Sequence, residues 1–496
     1  MPRLTGPSSQ PFPGARVTRE DSRYPTMVRG LNARFAGRPQ FIQVCGDTEQ
    51  VLRAVQEAVD RRMRITVRCG GHCYENFVCD NDGGVIIDLY PMHAVYQTGD
   101  EEYCAEGGAT LWNVYSELYR EYGVTLPGGS CYSVGVGGHV TGGGYGLLSR
   151  AHGLVVDYLH AVEIVHVDHD GRAHARVVSA DSADPNERDL LWANQGAGGG
   201  NFGIVTKFWF RGLPAAPAKA WLCSQTWKWN ALSPEAFASL IARYGDFLRQ
   251  NSGPGSPYAG LFSLLHLFQN VSGSPQINLT TQYVGTQPAL LEEFAALMAR
   301  KLPTNTDAPA RIGLHEASLP PGLITEMPWL FATAKLNGSG PYQRGKYKSA
   351  YMIEGFSDAQ VEAMFEHLST PSDPNPLALL QIDSYGCEVN ARSPQATPIP
   401  QRSSVMKLQY QTYWHDASDD PENFEWISNF YEAMYGPRGP YPDGAVDGCY
   451  VNYPDVDLQD WEYLYYKENY TRLQRVKARW DPLDVFHHQQ SIGAAE

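Results

Sequence analysis

The feature that most constrains this chain is a glycine-rich segment in which seven of the twelve residues from Gly135 to Gly146 are glycine. Glycine has no Cβ, so such a segment lets backbone N–H groups approach a ligand that side chains would otherwise keep away. Two nucleophilic side chains lie upstream in similar surroundings, because His72 follows two glycines and Cys131 follows two glycines and a serine. The pattern predicts a site for a diphosphate-bearing cofactor that an imidazole and a thiol are able to attach covalently.

Length and composition exclude several classes of protein. With 496 residues, 43% of them hydrophobic and 19% charged, the chain is long enough for two or three folding units. The net charge is −15 and no basic cluster is longer than Arg61-Arg62, so we expect neither nucleic acid nor a membrane surface as a partner. We see no signal peptide and no membrane span in the sequence. These features predict a cytoplasmic protein, monomeric or homodimeric, that acts on a small molecule.

The spacing of apolar residues predicts mixed α and β structure from residue 37 to residue 211. A helix is predicted from Asp47 to Met63, and a short strand from Ile65 to Val67 leads into the loop that carries His72. The segment from Leu154 to Val167 alternates in the manner of a strand pair. The composition then shifts at the proline- and alanine-rich segment from Gly212 to Ala218, which predicts a domain boundary.

Two other interpretations of the glycines and cysteines fit poorly. A Rossmann turn needs G-x-G-x-x-G followed at once by a helix, whereas residues Thr141 to Gly146 favour helix poorly. A zinc site on Cys69, His72, Cys73 and Cys79 would have a spacing that matches no common zinc motif, so we expect no metal. A third interpretation is covalent flavin attachment, in which a neutral imidazole and a thiolate add to the electrophilic flavin.

Five motifs occur in an order that supports this interpretation. They are Arg68-x-Gly-Gly-His72, Gly-Gly-x-Cys131, Gly-Val-Gly-Gly-His139-x-x-Gly-Gly-Gly-Tyr-Gly146, Gly198-Gly-Gly-Asn-Phe-Gly-Ile-Val205 and Tyr450-Val-Asn-Tyr-Pro-Asp455. In these motifs the chain resembles the berberine-bridge-enzyme-like flavin oxidases of the vanillyl-alcohol-oxidase (PCMH) superfamily. Within that family it is similar in particular to the bicovalent bacterial branch, the oligosaccharide oxidases and antibiotic-tailoring oxidases.

The resemblance covers residues 37–211 and 441–493 closely and the residues between them weakly. It implies a two-domain α+β fold with a PCMH-type FAD-binding domain from residues 1–211, whose core spans 37–211. A substrate-binding domain from residues 212–439 would be an antiparallel sheet covered by helices. The C-terminal segment, residues 440–496, would complete the FAD domain.

The resemblance also implies roles for individual residues. His72 is expected to bond the 8α-methyl group of FAD and Cys131 the C6 atom, with Cys73 as a departure where many relatives carry serine. His139 matches a histidine close to the pyrimidine edge of the flavin, and Val134 matches a gatekeeper position at which valine is typical of oxidases. The residues expected to bind FAD are Arg68, Cys69, Gly70, Gly71, Cys73, Val134, Gly135, Gly137, Gly138, His139, Gly142, Gly144, Tyr145, Gly200, Asn201, Val205 and Asn452.

Two further residues, Tyr450 and Tyr385, carry the expected catalysis. Tyr450 matches a tyrosine near flavin N5 and is expected to remove the substrate's hydroxyl proton. A free phenol has a pKa of about 10, so this role near pH 7 requires a lowered pKa. Tyr385 lies where related oxidases place a second acidic or phenolic group, and it is expected to assist Tyr450 or to serve a second oxidation.

Gln409 matches the catalytic glutamate of the plant berberine bridge enzyme, but an amide cannot act as a base. Tyr145 and Gln409 are expected to contact substrate.

These observations predict an FAD-dependent oxidase that converts an alcohol of a bulky natural product, a secondary or sugar hydroxyl, to a carbonyl. Hydride would pass to flavin N5 and O2 would become H2O2, in bacterial antibiotic biosynthesis. Three alternatives stay open: an oligosaccharide oxidase that gives lactones, an oxidative cyclase, and a non-catalytic flavin- or ligand-binding protein. Aromatic residues of the middle region offer either a stacking surface for a ligand or ordinary sheet packing: Trp221, Trp227, Trp229, Tyr410, Tyr413 and Trp414.

Overall fold

The computed structural model describes residues 13–271, 277–302, 310–312, 315–317, 319, 322–372 and 374–495. The fold mixes helices with largely antiparallel sheets, so the expected α+β class is confirmed. Residues 1–12 lie outside the described residues. They begin the expected FAD domain and contain most of the region searched for a signal peptide.

The first 211 residues contribute two sheets. Their strands are β1 (Ala15–Thr18), β2 (Phe41–Val44), β3 (Ile65–Arg68), β4 (Val85–Asp88), β5 (Val95–Gly99), β6 (Glu102–Glu106), β7 (Leu159–Val167), β8 (Ala173–Ser179) and β9 (Ile204–Arg211). The four-stranded sheet has the order β1-β2-β4-β3, in which β2 and β3 run parallel to β4 and β1 runs antiparallel to β2. The five-stranded sheet has the order β5-β6-β9-β7-β8 and is antiparallel.

The middle of the chain forms a larger antiparallel sheet and a small two-stranded one. Their strands are β10 (Lys219–Trp227), β11 (Leu261–Phe268), β12 (Ile277–Tyr283), β13 (Ala310–Ile312), β14 (His315–Ala317), β15 (Thr325–Pro328), β16 (Arg344–Met352), β17 (Leu379–Ser384) and β18 (Met406–Trp414). The seven-stranded sheet has the order β15-β10-β12-β11-β17-β18-β16, and β13 pairs with β14. The expected boundary segment, residues 212–218, connects β9 of one sheet to β10 of another.

Helices cover these sheets. The described α-helices are α1 (Tyr24–Met27), α2 (Thr48–Asp60), α3 (Leu111–Glu117), α4 (Val136–Thr141), α5 (Ser149–His152), α6 (Pro185–Asn194), α7 (Pro234–Asn251), α8 (Ala289–Ala299), α9 (Trp329–Lys335), α10 (Asp358–Ser369), α11 (Asp420–Tyr435), α12 (Trp461–Tyr466) and α13 (Tyr470–Trp480). Residues from α7, α8, α10 and α11 share one buried apolar cluster with one face of the seven-stranded sheet.

Local side-chain chemistry explains where one prediction was right and another was wrong. The helix predicted from Asp47 to Met63 is α2, whose N-terminus is capped because Asp47 accepts a hydrogen bond from the Gln50 N–H at 2.8 Å. Residues Leu154 to Val167 are not a strand pair. Asp157 accepts a hydrogen bond from the Leu154 N–H at 2.8 Å and closes a 3-10 turn, so β7 begins only after it.

The seven-stranded sheet has an apolar face and a polar face, which follows from the alternation of side chains along a strand. On β18, Met406, Leu408 and Tyr410 belong to the cluster shared with the helices. Lys407 and Gln409 therefore point to the opposite face. The polar face is the one turned toward the loops of the first 211 residues, so it supplies a wall of the site described below.

A buried cluster of charges joins three distant parts of the chain. Lys346 Nζ on β16 lies 2.7 Å from Glu75 Oε1, in the loop after β3, and 2.7 Å from Asp455 Oδ1 in the C-terminal segment. Lys348 Nζ lies 2.7 Å from the other oxygen of Asp455. Asp455 is fully buried, so its charge is compensated by these lysines rather than by water. The last residue of the Tyr450–Asp455 motif therefore has a structural role.

Replacing Asp455 with Asn tests that role. The variant removes the fully buried carboxylate between Lys346 and Lys348 and leaves the half-exposed carboxylate of Asp457 as the group they share. We expect the free energy of unfolding to fall by about 3 to 5 kcal/mol, measured by urea unfolding. Asp460→Asn is the matched control, because Asp460 forms an exposed pair with Arg438 and its loss should change stability little. Equal stability of the Asp455→Asn and control variants would contradict the structural role.

Candidate active site

One cavity of about 330 Å³ collects most of the residues predicted from the motifs. Its volume is in the range of about 300 to 1,000 Å³ that ligand pockets occupy. The polar face of the seven-stranded sheet contributes to its wall through residues such as Asp383 and Gln381. The expected site residues that line it are Arg68, Cys69, Gly70, Gly71, His72, Cys73, Cys131, Val134, Gly135, Gly137, Gly138, His139, Tyr145, Gly200, Asn201, Val205, Tyr450 and Asn452.

Two glycine loops touch through their backbones at this cavity. A Cβ on Gly70 would overlap the backbone nitrogen of Gly135, and a Cβ on Gly135 would overlap the Cys69 sulphur. The N–H groups of Gly70, Gly137 and Gly138 point at that sulphur. At Gly138, by contrast, a Cβ would enter open space. Only glycine permits this approach, so the loop after β3 and the loop before α4 form a single cradle.

The two nucleophiles predicted for flavin attachment lie in the same cavity but are not activated equally. Burial lowers the pKa of His72 to about 4, so its imidazole is neutral at pH 7. Burial raises the pKa of the Cys131 thiol to about 11, although Ser130 and the Gly338 N–H oppose this shift. The expected thiolate is therefore not the resting form. Burial likewise raises the pKa of Cys73 to about 12, which removes it as a competing nucleophile near pH 7.

His139 is held in one tautomer. Its Nε2 accepts a hydrogen bond from the Gly129 N–H at 3.2 Å, and burial lowers its pKa to about 4. A neutral imidazole that accepts at Nε2 carries its proton on Nδ1. His139 is therefore a hydrogen-bond donor at Nδ1 within the cavity wall, which is the property expected for stabilising a developing negative charge.

Tyr450 is buried and its oxygen is well supplied with donors. Asn452 Nδ2 donates to the Tyr450 hydroxyl at 3.1 Å, and the Gly144 N–H also donates to it. Burial nevertheless raises the pKa of Tyr450 to about 12, because losing hydration disfavours the phenolate more than two hydrogen bonds favour it. With these protein contacts alone, the pKa of Tyr450 is therefore raised, and the expectation that it is lowered is wrong.

A buried lysine that the sequence analysis missed lies beside Tyr450. Lys407 Nζ is 4.6 Å from the centre of the Tyr450 ring and 3.9 Å from the ring centres of Tyr145 and Tyr453. Burial lowers the pKa of Lys407 to about 7, and its counterpart is Asp383, which lies opposite it in the pairing of β17 with β18. Burial raises the pKa of Asp383, while the charge of Lys407 opposes that rise.

Two of the predicted catalytic or substrate residues lie one layer behind the cavity wall. Gln409 donates from Nε2 to the hydroxyl of Tyr74 at 3.0 Å, and Tyr74, not Gln409, lines the cavity. Tyr385 is fully buried, with its ring centre 5.5 Å from that of Tyr145. Within the described chain, neither Gln409 nor Tyr385 lines the cavity. The structure therefore places neither side chain in direct contact with a substrate there.

Four other predicted residues shape the site through their neighbours. Gly142 makes room for Asn452, whose side chain a Cβ on Gly142 would overlap, and Gly144 has a φ of +69° and donates to Tyr450. The Arg68 guanidinium lies against the cavity but is bound by Asp88. The amide of Asn201 donates to Ala197 O at 2.9 Å and accepts from the Ile492 N–H at 2.8 Å, so it connects the C-terminal segment to the glycine loop.

A group of tyrosines forms an aromatic wall of the cavity. Tyr74 and Tyr347 are stacked with ring centres 3.7 Å apart, and Tyr413 meets Tyr347 edge-on at 5.5 Å. Tyr453 lies 5.5 Å from Tyr74. Of the six aromatic residues of the middle region named in the sequence analysis, only Tyr413 lines the cavity. Those that instead pack in the core on the helix side of the sheet are Trp221, Trp227, Trp229 and Tyr410.

Known proteins resemble the chain over nearly its whole length. The family model described as "FAD binding domain" matches residues 39–174, and that described as "Berberine and berberine like" matches residues 449–493. Aclacinomycin-N/aclacinomycin-A oxidase of Streptomyces galilaeus is 41% identical, with 96% of this chain and 89% of that protein covered. Hexose oxidase of Chondrus crispus is 34% identical, with 95% and 93% covered.

A solved structure agrees with these relatives. The glycopeptide hexose oxidase DBV29, complexed with teicoplanin, matches with a TM-score of 0.89 at 37% identity, covering 98% of this chain and 99% of that one. The chain therefore belongs to the berberine-bridge-enzyme-like family of FAD-binding oxidases, as its motifs predict. It is an FAD-linked oxidoreductase.

The residues of the cavity fit an FAD molecule. The cradle formed by the two glycine loops leaves open space above Gly138, where a flat or phosphate-bearing group can approach the backbone. His139 presents a donor, and two groups able to form covalent bonds, His72 and Cys131, line the same space. The donors, the nucleophiles and the open backbone are those that a flavin dinucleotide requires.

Other kinds of site are not found in the part of the chain that the structure describes. No group of three or more His, Cys, Asp or Glu side chains there is arranged to hold a metal ion. Across the described ranges, no helix has the length and apolar character needed to cross a bilayer. All nine cysteines lie in those ranges and are free thiols.

Replacing Gly138 with Ala tests whether the open space above the cradle receives FAD. Because the added methyl group meets no protein atom, we expect protein stability to change by less than about 0.5 kcal/mol. The same methyl group enters the cavity, so the flavin content per chain, read from absorbance, should fall severalfold. Gly253→Ala, also in open space but outside the cavity, should change neither property. Full flavin loading of Gly138→Ala would contradict this placement.

Proposed function

We propose that the protein oxidises an alcohol of a bulky natural product, a secondary or sugar hydroxyl, to a carbonyl and passes the electrons to O2. The observation that carries this proposal is the position of Tyr450. Its hydroxyl accepts two hydrogen bonds, and a buried lysine lies beside its ring. Tyr450 also lines the same cavity as His72 and Cys131. An oxygen placed in this way suits the removal of a hydroxyl proton.

FAD is proposed to be held by covalent bonds to His72 and Cys131. When bound, the flavin accepts the hydride that leaves the alcohol carbon. Two attachment points allow a wide cleft, because the cofactor stays in place when a bulky substrate enters. We also propose that residues 1–211 and 440–496 form the FAD domain and residues 212–439 the substrate domain. Support comes from the bonds of Asn201 to the C-terminal segment.

Lys407 is proposed to make Tyr450 an effective base. The phenolate of Tyr450 and the ammonium of Lys407 are each costly in this buried space, as the opposite directions of their pKa changes show. Lys407 Nζ lies 4.6 Å from the centre of the Tyr450 ring, so the two charges attract one another and each ion costs less beside the other than it does alone. Tyr450 then takes the hydroxyl proton of the substrate, while Asn452 and Gly144 keep donating to its oxygen.

The substrate class is proposed from the cavity wall and the relatives together. Stacked tyrosines such as Tyr74 and Tyr347 offer flat apolar surface to a sugar ring or a polycyclic aromatic system. The relatives' names specify aclacinomycins, hexoses and, in one complex, teicoplanin. A glycosylated or polycyclic antibiotic precursor fits both observations. The amide of Gln409 cannot act as a base, which disfavours an oxidative cyclase.

A panel of alcohols tests the proposal. Soluble oligosaccharides, hexoses and glycosylated aromatic antibiotics are mixed with the enzyme without O2, and bleaching of the oxidised flavin is followed by stopped-flow absorbance. Air is then admitted and H2O2 is measured. Reduction by glycosylated antibiotics supports the proposal, whereas reduction by free sugars alone supports the oligosaccharide oxidase. A product with a new ring supports the cyclase, and tight binding without reduction supports a non-catalytic binding protein.

Tyr450→Phe is expected to slow flavin reduction by the best alcohol of the panel about 100- to 10,000-fold, because the hydroxyl proton loses its acceptor. Stopped-flow reduction measures this, and a flavin absorbance titration checks that the alcohol still binds. Tyr90→Phe is the matched control, because Tyr90 is 66% exposed and lies outside the cavity, and it should reduce at the wild-type rate. An unchanged rate in Tyr450→Phe would contradict the assignment of the base.

Lys407→Met is expected to move the pH dependence of flavin reduction. The reduction rate should rise with pH as the pair of Tyr450 and Lys407 loses one of its two protons. Removing the neighbouring cation makes the phenolate costlier, so the rise should occur about 1.5 pH units higher. Lys219→Met removes an exposed lysine 4.8 Å from the centre of the Trp221 ring and serves as the control. A pH profile of Lys407→Met that matches the wild type would show that the lysine does not support the base.

A further inference from the structure

We propose that Ser133 is a positioning residue for the covalent attachment of FAD to His72. By accepting a hydrogen bond from His72 Nε2, it selects the tautomer in which Nδ1 carries the lone pair that bonds the flavin. This inference rests on the attachment at His72 proposed above and goes beyond it by naming the side chains that select the reacting tautomer.

The structure places a chain of three polar atoms at His72. His72 Nε2 lies 2.9 Å from Ser133 Oγ, and Ser133 Oγ lies 2.7 Å from Ser339 Oγ. Within the described part of the chain, no hydrogen bond engages His72 Nδ1. The only ring nitrogen of His72 with a described protein partner is therefore Nε2, and Nδ1 is the one left to meet a cofactor.

The second serine is itself held in place. Asn337 Oδ1 accepts a hydrogen bond from the Ser339 N–H at 3.0 Å and another from the Tyr132 N–H at 3.3 Å. In the same loop, a Cβ on Gly338 would lie 3.2 Å from the Cys131 sulphur. The loop that follows α9 is thus fastened to the segment that carries Cys131 and Ser133, so Ser339 is a fixed partner for Ser133.

The protonation state of His72 decides the direction of the chain. Burial lowers its pKa to about 4, so at pH 7 the imidazole carries a single ring proton. If Ser133 donated to Nε2, that proton would be on Nδ1, which would then lack an in-plane lone pair. If Ser133 accepts from Nε2–H and donates to Ser339, Nδ1 has the lone pair. Only the second arrangement leaves a nucleophile facing the cavity.

The attachment balances with reagents already named. The C8α–H bond of the flavin breaks and its proton passes to solvent, the Nδ1–C8α bond forms, and the ring system takes up two electrons. O2 then removes those electrons together with two protons and becomes H2O2. The Nε2 proton stays on His72, shared with Ser133, while the Nδ1–C8α bond forms. The ring is then an imidazolium, which releases this proton to solvent, so the two protons released equal the two that H2O2 takes up.

A time course of flavin attachment tests the inference. The full chain is produced under riboflavin limitation, FAD is added in air, and flavin on the peptide that contains His72 is measured by mass spectrometry. Ser133→Ala should attach flavin roughly five- to tenfold more slowly, which corresponds to one hydrogen bond. Ser133→Thr retains the hydroxyl and should attach at nearly the wild-type rate. NMR of the flavin-bearing peptide should identify Nδ1 as the linked atom.

Two controls separate positioning from folding. Ser418→Ala removes an exposed hydroxyl outside the cavity, and attachment at His72 should stay at the wild-type rate. Non-covalent binding of FAD, measured by quenching of its fluorescence in the first seconds, should be equal in all variants. Attachment in Ser133→Ala at the wild-type rate, failure of Ser133→Thr to restore attachment, or a bond through Nε2 would each overturn the inference. A wild-type chain without flavin on His72 would instead overturn the proposed attachment itself.

Discussion

The backbone contact between Gly70 and Gly135 is the constraint on which the rest of the site depends. Any side chain at either position would force apart the loop after β3 and the loop before α4. The first loop carries His72 and the second carries Cys131 on its approach, so the contact puts both nucleophiles on one cavity. It also leaves open space above Gly138. The same glycines that reduce the stability of ordinary secondary structure here allow two nucleophiles and a bare backbone to face one ligand.

Loss of hydration is the common cause of the electrostatics of this cavity. It keeps His72 and His139 neutral, keeps Cys131 and Tyr450 protonated, and lowers the pKa of Lys407 to about 7. The two histidines, Cys131 and Tyr450 are thus uncharged at pH 7, and Lys407 is only partly protonated, until another charge comes near. Such a site responds strongly to a proton or hydride that moves within it, because few counterions or water molecules screen the change.

The sequence predicts the cradle well and the sheet that faces it poorly. His72, Cys131 and Tyr450 were found because each lies in a short motif whose glycines and neighbours are adjacent along the chain. Lys407 and Asp383 lie on separate strands with no motif around them, and only the register of β17 against β18 brings them together. The sequence did contain one signal for Lys407. It is two residues before Gln409, so on a strand the two side chains must lie on the same face of the sheet.

The prediction that Gln409 contacts substrate shows a second limit. The resemblance identifies its position along the chain, but whether a side chain reaches a cavity depends on which residues lie between the two. Here that residue is Tyr74, which comes from a loop more than three hundred residues earlier. The pKa of Tyr450 is a similar case, because the sequence shows its possible donors but not the extent of its burial.

The central claim is that one cavity holds FAD by two covalent bonds, and the most direct test is to locate the flavin on the wild-type chain. The purified protein is denatured in acid, digested, and its peptides are mapped by absorbance and mass. We expect the yellow colour to stay with the protein and flavin to link the peptides containing His72 and Cys131. Flavin released by acid, or bound at neither residue, would contradict it.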